Sequence, residues 1–438
     1  MKRILTLVVL LIATFSLAAC VVETGGFEYN FDQTQQKTQT IKVWLDDENA
    51  NYMNGVIAEF RKVHPEIIVQ FQHMSTVDAR ERLKVYGKSG NGADIFQFPH
   101  DHLAKALQED LVYPIPTATA TALAQRVHPM GIEIGTVCYD ETSKSLICTA
   151  TSTPRLYGVA ISLESVALFY NKDLVTTPAT TIEQIVTEAA AYVAVNDPVT
   201  GQPRWYFGVT AGGWHDSYFV QFIYSAFNWR PFGVNGNDPS AVGFAGLNNA
   251  LAWMVGTLKP VVTKTGNTDS VQGGSLFEQG KLHYAIGGPW NIEAYKTAGL
   301  NFGVTTIPTL NGNATKTYAG AQMVAVYKHS PNKEAALKFV EFLTTDTAQT
   351  IHYEQKGKLP ALKNDLLGNV PGVSSDAYLA GIIAQLATSV PMPTIPEVQY
   401  YWGPGEAMLK QVWNDGVVPA TATATAEAGY LARLGLGQ

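Results

Sequence analysis

Apolar positions first alternate with polar ones at Ile41, Val43 and Leu45, a period of two that predicts a strand. They then recur at Tyr52, Val56, Ile57, Phe60 and Val63, the spacing of a helix's buried face, until Pro65 stops them. A second strand over Ile67 to Phe71, a helix starting near Ser75 and an apolar strand from Asp94 to Phe98 complete a β-α-β-α-β series, which predicts a lobe built on parallel sheet. Further apolar strands are predicted near Tyr157 to Ile161, Phe207 to Thr210, His283 to Ile286 and Phe302 to Ile307, with helical patterns between them. A late helix is predicted from Ser330-Pro331, serine as N-cap and proline at the first helical position, running through Leu337, Val340 and Leu343. The Thr/Ala-rich segments Thr117 to Ala122 and Ala420 to Ala426 read as a loop or weak helix and as part of a C-terminal helix.

The start of the chain has another pattern. The mainly apolar residues Ile4 to Ala19 follow Lys2-Arg3 and end in Leu17-Ala18-Ala19-Cys20, the layout of a secretory signal and too short for a spanning helix. Leu-Ala-Ala-Cys resembles the lipobox of bacterial lipoproteins, which implies that cleavage leaves Cys20 as a lipid-modified N-terminus. More than one acyl chain, at roughly 0.8 kcal/mol per buried methylene, would anchor it to the outer face of the cell membrane. Residues 21–39 turn to Gly, Gln, Thr and Asn without periodicity and read as a flexible tether. The other two cysteines, Cys138 and Cys148, flank the turn-like stretch Tyr139 to Lys144. In an exported protein they could close a disulfide-clipped hairpin; two free thiols or a metal site are the alternatives, and no nearby histidine pattern supports the metal.

Beyond residue 20 roughly 418 residues remain, more than one compact core usually holds, so two or more lobes are expected. Lys+Arg 30 against Asp+Glu 37 gives a net charge of −7 with no basic run beyond Lys2-Arg3, so nothing marks a nucleic-acid partner and a neutral or weakly polar one fits better. The 20 tyrosines and 8 tryptophans exceed what packing requires, which leaves rings for a ligand.

No P-loop, G-x-S-x-G, H-E-x-x-H or paired C-x-x-C occurs, so the local signatures of phosphate, acyl and zinc chemistry are missing. Gly87 to Gly92 follows a helix and precedes a strand, the reverse of a dinucleotide loop, and reads as a turn. His100-Asp101-His102 lacks a third metal ligand and reads as a loop at a strand's C-terminal end, where open α/β sheets bind ligands.

What remains is a set of carboxylates beside aromatic rings, each just after a predicted strand: Asp46-Asp47-Glu48, Phe98-Pro99-His100-Asp101, Trp214-His215-Asp216-Ser217-Tyr218 and Gly287-Gly288-Pro289-Trp290. Tyr400-Tyr401-Trp402 adds a fifth cluster. A carboxylate accepts two hydroxyl hydrogen bonds at once, and a ring covers the apolar face of a pyranose without stranding polar groups. Together they form a vocabulary for binding sugar.

At these residues the chain resembles the maltose/maltodextrin-binding protein family, the extracytoplasmic binding components of ABC sugar importers. The likeness runs from about Ile41 to Gly416. It is carried by Gly92-Ala93-Asp94-Ile95-Phe96 leading to His100-Asp101, by Glu164 to Phe169 with Tyr170-Asn171-Lys172-Asp173-Leu174, and by Gly288-Pro289-Trp290. Asn301-Phe302-Gly303-Val304 with Ile307-Pro308-Thr309, Ser330 to Glu334, and Pro391-Met392-Pro393 with Ile395-Pro396 extend it.

The resemblance implies a two-lobed α/β periplasmic-binding-protein fold of type II, closing about a hinge. Residues 40–162 and 308–366 would form the N-terminal lobe, 163–307 and 367–438 the C-terminal lobe, with crossings near Ile161 to Ala167 and Thr305 to Pro308. Asp101 and Glu164 would accept sugar hydroxyls, Asp216 would replace a family glutamate in that role, and Tyr218, Trp290 and Trp402 would be the ring platform. Phe98 stands where the family has a tryptophan, and Asp47 or Glu48 would supply the acid after the first strand. The family's lysine in that first loop has no counterpart near Asn49, and His102 stands where an arginine is expected, departures that bear on affinity and preferred sugar length. The implied partners are maltose or maltodextrins and the membrane subunits of an importer, with no cofactor, a monomeric chain, and the helix from Ser330 as part of the docking surface. The competing reading, an exported glycoside hydrolase, needs one carboxylate pair across a single bond, whereas here the acids are scattered among ring-bearing loops. A surface adhesin is a third reading and would need no closing cleft.

Overall fold

The computed structural model describes residues 38–146, 153–211, 216–262 and 275–435. Cys20, the signal, residues 21–37 of the tether, Cys148 and Trp214-His215 lie outside them, and of Asp216 only the backbone is described. Cys138 is disulfide-bonded.

The alternation at Ile41, Val43 and Leu45 becomes strand β1 (Gln39–Leu45), with all three side chains fully buried. Helix Asn51–Val63 buries Tyr52, Met53, Val56 and Phe60 on it and ends at His64, before the proline that disfavours a further helical residue. Strands β2 (Ile67–His73) and β3 (Ile95–Pro99) both lie parallel to β1. The sheet is nevertheless mixed rather than parallel. Strands β6 (Val159–Glu164), β11 (Tyr318–Val326), β12 (Leu359–Pro360) and β13 (Val390–Pro391) join it in the order β12-β6-β11-β3-β1-β2, with β13 on β11. Strand β11 runs antiparallel to both β3 and β6 because it arrives directly from the second sheet and not through a crossover helix.

A small hairpin pairs β4 (Thr136–Val137) with β5 (Arg155–Leu156). The second sheet has the order β10-β7-β9-β8, from β7 (Ala167–Asn171), β8 (Phe207–Gly208), β9 (Tyr284–Gly287) and β10 (Phe302–Thr305). The chain passes from the first sheet to the second through Ser165-Val166 and returns between β10 and β11. A buried hydroxyl cluster ties these passages: Ser165 Oγ lies 2.7 Å from Thr317 Oγ1, which lies 2.6 Å from Ser389 Oγ just before β13. Two hydrophobic clusters fill the molecule, one around Ile41, Phe96 and Val324 and the other around Leu168, Tyr284 and Trp413.

Three expectations change. Ser330 is no N-cap: its hydroxyl donates to Asp94 Oδ1 at 2.5 Å and accepts from Asn332 N, and the helix begins at Lys333 with Asn332 before it. Thr117 to Ala122 lies in a full helix, Thr117–Arg126. The strand expected over Phe207 to Thr210 pairs only at Phe207–Gly208.

Candidate functional site

A cleft of about 1160 Å³ is lined by side chains that follow strands of both sheets, Asp101 after β3 and Trp290 after β9 among them. Its acidic centre is Asp101, in the 3-10 turn His100–His102 that follows β3. The carboxylate Oδ2 accepts from Trp402 Nε1 at 3.0 Å and from Gln399 Nε2 at 2.8 Å, both on helix Val398–Trp413. Lys105 Nζ donates to Tyr400 Oη on the same helix at 3.1 Å, so this helix is bonded across the cleft at two points. Pro404 inside that helix cannot donate to the carbonyl of Tyr400; Arg433 Nη1 supplies a bond there at 3.4 Å.

Glu164 ends β6, where its carboxylate accepts from Gln322 Nε2 at 3.0 Å. Burial raises its pKa above the ordinary carboxylate range, against the pull of the Lys358 ammonium. Trp290 sits in the turn Pro289–Asn291 after β9, its indole folded back over Gly288. A Cβ on Gly288 would lie 2.4 Å from that ring, so glycine is what lets the indole take this place. Tyr218, on the short helix Asp216–Phe219, stands 6.5 Å from Trp290 between centroids and 6.1 Å from Tyr318, which meets Trp402 edge-on at 6.3 Å. The rings thus form a wall from Trp290 to Trp402.

Of the residues singled out by sequence, Asp101, Glu164, Tyr218, Trp290 and Trp402 all line the cleft. Phe98 does not: alternate residues of a strand share a face, and Phe96 and Phe98 stack in the core at 4.9 Å while Gln97 and Pro99 face the cleft. Nor do Asp47 and Glu48. Asp47 turns inward to accept from Met53 N at 3.0 Å at the start of helix Asn51–Val63, Glu48 is exposed, and Asp46 lines the cleft instead.

Several lining residues carried no local sequence signal: Tyr52, Arg80, Ser162, Gln322, His352 and Lys358. Tyr52 Oη, Arg80 Nε, His102 Nδ1, Ser162 Oγ and Tyr218 Oη are buried and have no hydrogen-bond partner among the described residues. A buried polar group without a partner costs about 1–3 kcal/mol. Five around one cleft make a site suited to a ligand rich in hydroxyls. Among the described residues no group of three metal-ligating side chains is placed to hold an ion.

His352 stacks on Tyr52 at 4.5 Å, and burial, with Lys358 and Lys356 nearby, lowers its pKa to about 3. The folded state therefore refuses a proton that the unfolded state accepts below about pH 6.5, and stability falls as pH drops through that value. Between about pH 6.5 and pH 5 the cost is about 2 kcal/mol. Denaturant unfolding across this range should show the decline, and His352→Gln should flatten it; an equal slope in both proteins would assign the decline to other groups.

The sequence model of the family described as bacterial extracellular solute-binding protein matches residues 55–378. The galactooligosaccharide-binding protein of Bacillus subtilis (strain 168) is 27% identical, with 93% of this chain and 92% of that one covered. A maltooligosaccharide ABC transporter solute-binding lipoprotein of Streptococcus pneumoniae (strain ATCC BAA-255 / R6) is 25% identical over the same shares, 93% and 92%. Among solved structures, a cyclo/maltodextrin-binding protein complexed with maltotetraose superposes with a TM-score of 0.72 at 24% identity, covering 91% of this chain and 98% of the other. The likeness establishes the two-lobed type II periplasmic binding fold. Among the described residues no helix is long and apolar enough to cross a membrane.

Proposed function

The chain belongs to the bacterial extracellular solute-binding protein family, and on that premise we propose that it captures maltose or longer maltodextrins between its lobes and hands them to an ABC importer without cleaving them. The observation that carries this reading is the cleft itself, where Asp101 and Glu164 join the ring wall of Tyr218, Trp290 and Trp402, with five polar atoms, Tyr218 Oη among them, unpartnered among the described residues. At about 1160 Å³ it exceeds the ~300–1,000 Å³ usual for small-molecule sites, which favours an oligosaccharide over a single sugar. The maltooligosaccharide and maltodextrin names of relatives support the glucan, and the galactooligosaccharide name of another keeps a galactan as second reading.

We assign residues 40–162 and 308–366 to one lobe and 163–307 and 367–438 to the other, except that Leu163-Glu164 at the end of β6 and Val390-Pro391 of β13 belong to the sheet of the first, with the hydroxyl-tied passages at Ser165 and Thr317 as the hinge. A sugar that touches both lobes stabilises the closed form by the contacts made only there. Cys20, lipidated, would hold the receptor beside its importer, where the 21–39 tether raises its effective concentration. Calorimetry of residues 40–438 with maltose, maltotriose, a cyclodextrin and a galactotriose tests the reading. Heat with an α-glucan and unchanged sugar after long incubation are expected. Heat with galactotriose alone would move the assignment to galactans, and no heat with any of the four would remove the sugar.

A further inference from the structure

The first loop holds no lysine near Asn49 and a histidine, His102, follows Asp101, while the fold brings a cation from elsewhere, Lys358, to the floor of the cleft. Strands β6 and β12 pair antiparallel, Leu163 opposite Leu359 and Ser162 opposite Pro360. One step further along this register, Lys358 faces Glu164. On the other side of β6, Glu164 lies opposite Gly320, and Gln322 reaches over to bond its carboxylate. Lys358, Glu164, Ser162 and Gln322 all line the cleft.

Lys356 also reaches the cleft, but its Nζ lies 3.5 Å from Asp47 Oδ1, and Arg80 is held by Glu109 at 2.6 Å and Glu81 at 2.7 Å. Lys358 makes no hydrogen bond or ion pair among the described residues, although Glu164 attracts it and burial disfavours its charge. Ser162, two residues before Glu164 and so on the same face of β6, is 1% exposed with its hydroxyl unpartnered among the described residues. A donor, an acceptor and a hydroxyl that could do either therefore converge at the hinge-side floor, where β6 leads into the passage between lobes.

We propose that Lys358, Glu164 and Ser162 form a subsite that grips two neighbouring hydroxyls of one sugar ring, the ammonium donating to one oxygen while the carboxylate accepts from the next. The inference rests on the sugar reading above and adds to it the residue that supplies the missing charge-assisted donor. It also explains why that cation is invisible locally: Lys358 is some 190 residues from Glu164 in sequence and meets it only through the register of a two-residue strand.

The test is a cycle between protein and ligand. Wild type and Lys358→Met are titrated calorimetrically with maltotriose, galactotriose and a set of singly deoxygenated forms of whichever trisaccharide binds, with thermal unfolding recorded for each protein. Lys358→Met should weaken the parent sugar about 10- to 100-fold, the usual worth of a charge-assisted bond, with no loss of thermal stability. One deoxy sugar, the one lacking the partner hydroxyl, should bind both proteins equally. Equal affinity of the parent sugar for both proteins would overturn the subsite, as would a loss shared evenly by every deoxy form, which would mean a structural role. Should Lys358→Met not fold, Ser162→Ala replaces it in the same cycle with the same two overturning results. If wild type binds neither trisaccharide, the sugar reading falls, and the subsite falls with it.

Discussion

Asp101→Ala should weaken oligosaccharide binding more than any other single change in the cleft, by about 2–5 kcal/mol, or roughly 30- to 4000-fold. The residue is 6% exposed, and its carboxylate both lines the ligand cleft and accepts from Trp402 and Gln399 on the helix across it. Truncation removes the strongest acceptor offered to a hydroxyl and at once releases Trp402 Nε1, while Gln399 Nε2 keeps only its 3.1 Å bond to the backbone carbonyl of residue 101. The Trp402 ring then loses the contact that fixes its face toward the sugar. Asp101→Asn keeps the shape and one acceptor oxygen but not the charge, so it should lose about 1–2 kcal/mol. Calorimetry measures both. Small-angle scattering of the unliganded proteins separates the two roles, because Gln399→Leu should loosen the bridge while leaving the carboxylate free for sugar. Affinity in Asp101→Ala within threefold of wild type would show that the carboxylate serves the bridge alone.

The difference between what could be read along the chain and what could not follows from the range of the interactions involved. The opening strand–helix–strand series was legible because its signals are local: the period of two at Ile41 to Leu45, the helical spacing from Tyr52 to Phe60, and Pro65 as a stop. Trp290 and Trp402 line the cleft, and each stood out locally, Trp290 in the Gly-Gly-Pro turn that ends a strand and Trp402 in the aromatic run Tyr400-Tyr401-Trp402. Strand β11, nine residues and the spine of the first sheet, was not, since a strand buried on both faces has no alternation to show. Phe98 was misplaced by one residue of strand parity, and Asp47 by the pull of a helix terminus that needed a partner for Met53 N. Lys358 and Ser162 reach the cleft through the pairing of β6 with β12, and His352 through a helix that stacks it on Tyr52, contacts between segments far apart in sequence that nothing in their own neighbourhoods records.

Gly381→Ala tests how tightly the second lobe is built. Helix Ala377–Leu386 lies against β10, and a Cβ at Gly381 would come within 2.3 Å of Val304 O and 2.6 Å of Val304 C. Helix propensity alone would reward alanine by about 1 kcal/mol. Sterics should win, because the obstacle is sheet backbone and not the free end of a side chain, so the helix must move off β10 and open its buried face. Overpacking of this kind costs about 1–3 kcal/mol and occasionally more, which leaves a net loss of up to about 2 kcal/mol after propensity is counted. The consequence extends to the hinge. Gln385 on the same helix accepts from Ile307 N at 2.8 Å and donates to Thr317 Oγ1 at 3.2 Å, so a displaced helix loosens both sides of the returning passage. Gly368, with nothing within 4 Å of its would-be Cβ, is the control, and Gly368→Ala should be neutral or slightly stabilising. Denaturant unfolding of the two variants decides the matter. If Gly381→Ala were as stable as Gly368→Ala, helix Ala377–Leu386 would be free to slide on its sheet, and hinge closure would have to be sought in that sliding instead of in the passages at Ser165 and Thr317.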